Sequence, residues 1–207
     1  MPGYPKVVPA PPMQRTVDAL RRAIKAMYHV MPDVDAEDMA THAEALADAI
    51  ERESTLRLRQ PEDVRHSRSP MTGVMNPVSP PMTTEYFPET QSVTCHIRYN
   101  EAYQGPPNCV HGGFVAAILD EGLGATRHLT DKRCVTGQLN VTYKRPTPIN
   151  ADLVLHARIV EMHERKMLVT GEITHKGEIT ASAEGLFVFL DPEKFNALAI
   201  GAHEASR

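Results

Sequence analysis

The sequence predicts an α+β domain in which one central helix lies among about five or six antiparallel strands, with a helical hairpin ahead of it. Three observations carry that expectation. A Pro/Gly loop at 105–113 runs into an apolar stretch without proline at 114–124. Strand-like patterns follow at 134–144, 152–163, 166–175 and 178–190, and another precedes the loop at 90–99. Upstream of these, apolar residues recur at helical spacing on either side of Pro32.

Taken in order, Val17, Leu20, Ile24, Met27 and Tyr28 share one stripe over residues 15–31, and Pro32 stops the pattern. Asp35 then offers an N-cap with acidic residues in the first turn, leading to a second stripe of Met39, Ala43, Leu46 and Ile50. The pair is expected to form a hairpin with solvated charged faces. Docking on its own domain, dimer support and a lid are all open as its use. Residues 68–81 are dense in proline and should connect irregularly, with Asn76 capping a turn. At 90–99 the alternation puts Val93, Cys95, Ile97 and Tyr99 on one face. Pro106 and Pro107 disfavour helix before them, so the central helix should begin near His111. After it, Thr136, Gln138, Asn140 and Thr142 alternate with Gly137, Leu139, Val141 and Tyr143, which would make one strand face polar throughout.

The 207 residues are 42% apolar and 23% charged with a net charge of −4, which suits one globular domain with an extension. The expected division is an extension with the helical hairpin at 1–68, the α+β domain at 69–192 and a tail at 193–207. Nothing in the charge balance points to nucleic acid or membrane as the main partner. The N-terminus lacks the basic start and apolar core of a secretory signal, and no later run approaches membrane-spanning length, so a cytoplasmic location is expected. Cys95, Cys109 and Cys134 have neither disulfide nor zinc-site spacing; Cys109 fits a small packed residue better than a nucleophile. His96, His156, His163 and His175 fall singly on strands, without the spacing of metal ligands.

On the central helix, Phe114, Val115, Ile118, Leu119 and Leu123 occupy one arc, and Gly113, Ala116, Ala117, Asp120 and Gly124 the other. An acid set among Gly and Ala is open to a ligand or a second helix; an ordinary solvated helix acid fits the same pattern. The first N–H groups of a helix have no internal partner and sit at its positive end, so the Gly112-Gly113 turn suits an anionic oxygen. Asp120 lies nine residues beyond His111, about 13 Å along the axis. Both groups can act on one bond only if the carboxylate comes from a second copy of the helix.

The His111-Gly112-Gly113 turn followed by Asp120 resembles the hotdog-fold thioesterases of the phenylacetic-acid-degradation type. The segment from Thr136 to Lys144, Arg145 and Pro146 is similar to the strand after the central helix in the long-chain acyl-CoA thioesterase branch. The resemblance covers roughly residues 70–190 and implies a hotdog fold with an antiparallel sheet wrapped around the helix. It also implies hydrolysis of an acyl-CoA to free acid and coenzyme A, by a homodimer or a dimer of dimers. No metal or organic cofactor is expected, coenzyme A entering only as part of the substrate. By the same resemblance the polar strand face lies along the acyl-CoA site, and Thr136 assists the catalytic acid Asp120, which activates water or attacks directly. The N–H of Gly113 would receive the oxyanion, His111 would orient the turn or the thioester, and Gly112 and Asn108 would contact substrate. Lys144 and Arg145 suit the coenzyme A phosphates, or are simply solvated charges at a strand end. One departure stands out: many relatives carry Asn six residues before the histidine, where this chain has Gly105.

Two alternatives stay open. A catalytically silent acyl-CoA-binding or regulatory module would keep the cations and the apolar groove without needing Asp120. An acyl-thioester hydratase or dehydratase would use a His and an acid in one site, but no Asp is followed five residues later by His. Serine hydrolase chemistry is disfavoured, since no Gly-x-Ser-x-Gly elbow occurs.

Overall fold

The computed structural model describes residues 8–54 and 67–191; the tail expected at 193–207 lies outside the described residues, as do the first seven positions. The chain divides into two compact units, one running from 5 to 78 and the other carrying everything from residue 79 onward.

The first unit contains α1 (Pro11–Met27) and α2 (Glu37–Glu53). Pro11 and Pro12 occupy the first helical positions of α1, where a missing N–H leaves no bond unmade. The helix ends at Met27, earlier than its spacing predicts. Its last expected turn relaxes into i to i+3 bonds, His29 N–H to Ala26 O at 2.9 Å and Val30 N–H to Met27 O at 3.2 Å. The N-cap of α2 is Ala36 and not Asp35, although Asp35 Oδ1 still accepts from Glu37 N–H at 3.3 Å. Residues 67–78 are a series of turns, as their prolines predict, and they belong with the helices and not with the sheet. Asn76 Oδ1 accepts from Val78 N–H at 2.9 Å, and Arg21 Nη2 donates to Asn76 O at 3.1 Å.

The second unit runs β1 (Met82–Phe87), β2 (Ser92–Arg98), α3 (Gly112–Ala125), β3 (Cys134–Tyr143), β4 (Asp152–Met162), β5 (Lys166–His175) and β6 (Glu178–Phe189). The six strands form one antiparallel sheet in the order β1-β2-β4-β5-β6-β3, and α3 packs against β2 to β6. A single helix cradled by an antiparallel sheet is the hotdog arrangement. Ile118, Leu119 and Leu123 of α3 are completely buried, each contributing about 1.5–3 kcal/mol. Gly122 sets the spacing of helix and sheet, since a Cβ there would meet Leu155 Cδ2 at 2.5 Å. Gly124, expected on the open arc, is buried, because the sheet curls far enough round the helix to bring Phe187 beneath it.

Strand β3 departs from expectation in a way that matters for the site. Thr136 pairs with Phe187 and Gln138 with Leu186, so Gly137 is an extra residue in a β-bulge. Directly opposed residues of an antiparallel pair share a face, and Phe187 and Leu186, being consecutive, point to opposite faces. Thr136 therefore faces the helix, together with Leu139, Val141 and Tyr143, while Gln138, Asn140 and Thr142 face away from it. The face expected to be polar throughout is split by one glycine.

Candidate active site

The start of α3 rests on an aromatic seat. Tyr99 donates its hydroxyl to Phe114 O at 3.2 Å, and the Tyr103 ring meets the rings of Tyr99 and Phe114 edge-on, each at 5.1 Å between centroids. The preceding loop is a tight turn: Cys109 N–H donates to Pro106 O at 2.9 Å, and Asn108 takes a φ of 60°. Proline followed by a left-handed Asn is the pattern of a type II turn, so the backbone of Asn108, expected to contact substrate, shapes the loop. Gly105 N–H closes that loop onto Cys109 O at 3.0 Å.

Gly105 explains its departure from the family pattern. A Cβ at this position would lie 2.8 Å from His111 Cα and 3.1 Å from His111 Cβ, so no side chain fits while the loop holds its course. Gly105→Ala is expected to cost about 1–3 kcal/mol, as overpacking does, and a lowered midpoint in urea denaturation with an unchanged slope checks it.

His111 is the N-cap of α3, and its Nδ1 accepts from Gly113 N–H at 3.0 Å. That bond keeps Nδ1 unprotonated and leaves the proton of the neutral ring on Nε2. It also engages the Gly113 N–H, the expected oxyanion donor, whereas Gly112 N–H has no acceptor among the described residues. Tyr143 completes this end. Its hydroxyl donates to Gly112 O at 3.0 Å, and its ring lies 3.6 Å from where a Cβ on Gly112 would be. Sequence reasoning saw Tyr143 only as one residue of an alternating strand; its partner lies 31 positions away, beyond local pattern. Tyr143→Phe should loosen the Gly112 peptide and lower kcat about 2–10-fold, the worth of one net hydrogen bond, with KM nearly unchanged in steady-state assays.

About two turns along the helix, Thr136 Oγ1 donates to Asp120 Oδ1 at 2.8 Å. The bulge at Gly137 makes this contact possible by turning Thr136 towards α3. Asp120 is thereby held as an acceptor, with Oδ2 outside that bond.

Lys144 and Arg145 both donate their backbone N–H to Thr180 O, at 2.8 and 2.9 Å. The two cations line a groove of about 400 Å³ with Pro106, Cys109, Gly112 and Tyr143, at the His111 end of the helix. Arg145 is loosely paired with Glu178 at 3.7 Å, an exposed contact worth little; Lys144 forms no ion pair among the described residues. Asn140 and Thr142 line a separate groove on the opposite sheet face. Burial pushes the Cys95 and Cys134 thiols up, away from the thiolate form. Among the described residues no cluster of three His, Cys, Asp or Glu could hold a metal, and no helix is long and apolar enough to cross a membrane.

Residues 108–182 match the family described as the thioesterase superfamily. A solved thioesterase superfamily protein aligns with a TM-score of 0.79 and 30% identity over 88% of this chain and 98% of its own, more of this chain than the sheet unit alone contains. Acyl-coenzyme A thioesterase THEM4 of Mus musculus is 38% identical over 93 residues, 44% of this chain and 40% of that protein. This chain thus spans less than half the length of that curated relative. A protein from Streptococcus mutans UA159, solved bound to acetyl CoA, shares the fold at 18% identity and a TM-score of 0.50, over 53% of this chain and 89% of that one.

Proposed function

Because this chain belongs to the thioesterase superfamily, we propose that it hydrolyses an acyl-CoA to the free acid and coenzyme A, in sites shared by two copies. The observation that carries this reading is the Thr136–Asp120 hydrogen bond of 2.8 Å on the same helix whose first N–H, that of Gly112, has no acceptor among the described residues. Asp120 lies eight residues beyond Gly112, about 12 Å along α3, too far for both to act on one bond within one chain. Two antiparallel copies of α3 bring the start of each opposite the carboxylate of the other.

Strand β3 favours such pairing. It is a sheet edge of ten residues with no charged residue and no proline to block pairing, and the bulge at Gly137 leaves the run from Gln138 to Tyr143 regular. In the shared site Asp120 takes a proton from water, which attacks the thioester carbonyl carbon. The developing oxyanion is met by Gly112 N–H, and the bond to sulfur then breaks, releasing the coenzyme A thiolate, which takes up a proton. Thr136 orients the carboxylate. Lys144, which forms no ion pair among the described residues, suits the coenzyme A phosphates at the mouth of the groove. The names of the relatives, an acyl-coenzyme A thioesterase and a protein holding acetyl CoA, support this substrate class. The scheme calls for no cofactor.

The test is thiol release over a panel of short, long and aryl acyl-CoAs. Release from at least one class well above the buffer rate is expected. Tight binding of acyl-CoA with no release from any member would overturn hydrolysis and favour the silent binding module.

A further inference from the structure

Helix α2 has seventeen residues, and none of them is buried. Yet the helix carries an apolar seam. Met39, Ala43, Leu46 and Ile50 follow one another at intervals of four, three and four, the spacing of a coiled-coil stripe, and the three large ones are 43%, 40% and 40% exposed. Small residues border it, Ala40, Ala47 and Ala49, so a partner helix can approach closely. A helix of this length standing alone in water is marginal, and such a seam is stabilising only when covered.

Helix α1 has the same stripe. Met13, Val17, Leu20, Ile24 and Met27 recur at four, three, four and three, and the C-terminal members Ile24 and Met27 are 37% and 60% exposed. The two helices differ in sign. Four basic residues of α1 (Arg15, Arg21, Arg22, Lys25) stand against one acid (Asp18), a net charge of +3. In α2 six acids stand against Arg52 alone, a net charge of −5. Like charge opposes pairing α2 with another α2, and opposite charge favours α1 as its partner. Among the described residues of one chain the seam is not buried by α1, since Met39, Leu46 and Ile50 keep 40–43% of their surface exposed.

We propose that α2 of one copy lays its apolar seam along the exposed part of the α1 stripe of a second copy, so that two chains exchange helical arms. This surface is built from other residues than the proposed active site and does not depend on the reaction assigned to it.

The test uses full-length protein with one cysteine added per chain, Ile24→Cys in one and Leu46→Cys in the other, co-expressed and treated with a short bismaleimide. The native Cys95, Cys109 and Cys134 are present in both and serve as the internal background. Because each chain carries only one added cysteine, a linked 24–46 peptide found by mass spectrometry must join two chains, and this product is expected. Arg15→Glu with Arg22→Glu in α1 should lower its yield several-fold, and Glu44→Lys with Asp48→Lys in α2 of the other chain should restore it. These positions are exposed, and circular dichroism of each variant checks that the fold is kept. The proposal is overturned if the co-expressed chains give no 24–46 link, if that link forms only when one chain carries both cysteines, or if 46–46 links dominate.

Discussion

Asp120→Ala is expected to lower kcat about 10²–10⁴-fold on every acyl-CoA the protein cleaves, while KM changes little, because the carboxylate handles a proton and does not hold the substrate. Asp120→Asn should lose nearly as much: the amide keeps the size and the acceptor for Thr136 but cannot take a proton from water. Thr136→Val separates orientation from chemistry. It removes the 2.8 Å bond to Oδ1 and leaves the acid, so a fall of about tenfold is expected, the worth of one hydrogen bond to a charged group. The ordering of the two variants is diagnostic. A solvated helix acid in a binding module would leave acyl-CoA affinity untouched in both, with no thiol release to lose. Steady-state thiol release, with acyl-CoA affinity measured alongside, checks all three variants.

The parts of this molecule that local chemistry dictates were legible in the sequence. Pro106 and Pro107 prevent an earlier helix, and the apolar arc of Ile118, Leu119 and Leu123 demands one, so α3 begins where the loop ends. Strands β4, β5 and β6 alternate clearly because one face packs on α3 and the other meets solvent. Strand β1 escaped notice: it is a six-residue edge between Pro81 and Pro88, and its inner residues are only half-buried, so its alternation is faint. The bulge at Gly137 was not legible either. Alternation of residue types runs straight through it, and only the cross-strand pairing with Leu186 and Phe187 reveals that Thr136 and Gln138 face opposite ways. For the same reason the Thr136–Asp120 contact was expected from resemblance, while the bulge that permits it was not. The oxyanion donor proposed here is Gly112 and not Gly113, because His111 caps its own helix and engages the Gly113 N–H, a side-chain choice that composition does not record.

That one-residue shift sets up the sharpest test of the shared site. Gly112 is the first residue of α3, the position where proline is tolerated best, and His111 before it already has the extended ψ of 134° that a following proline requires. A Cβ there would have the Tyr143 side chain as its nearest neighbour, at an ordinary 3.6 Å. Gly112→Pro should therefore keep the helix and delete one N–H, lowering kcat about 10²–10³-fold, the effect of losing an oxyanion donor. Mixing this variant with Asp120→Ala then distinguishes a site within one chain from a site between two. If the acid comes from the neighbour, each mixed dimer holds one site with both groups intact, and random pairing restores about a quarter of the wild-type activity. If both groups acted within one chain, no mixed dimer would have an intact site, and the mixture would stay as inactive as its parents. Co-expression of two differently tagged chains, tandem purification of the mixed dimer and a thiol-release assay decide between these. A restored rate would show the base and the oxyanion donor to be on different subunits, whereas an inactive mixture would refute the arrangement even if Asp120 alone proved essential.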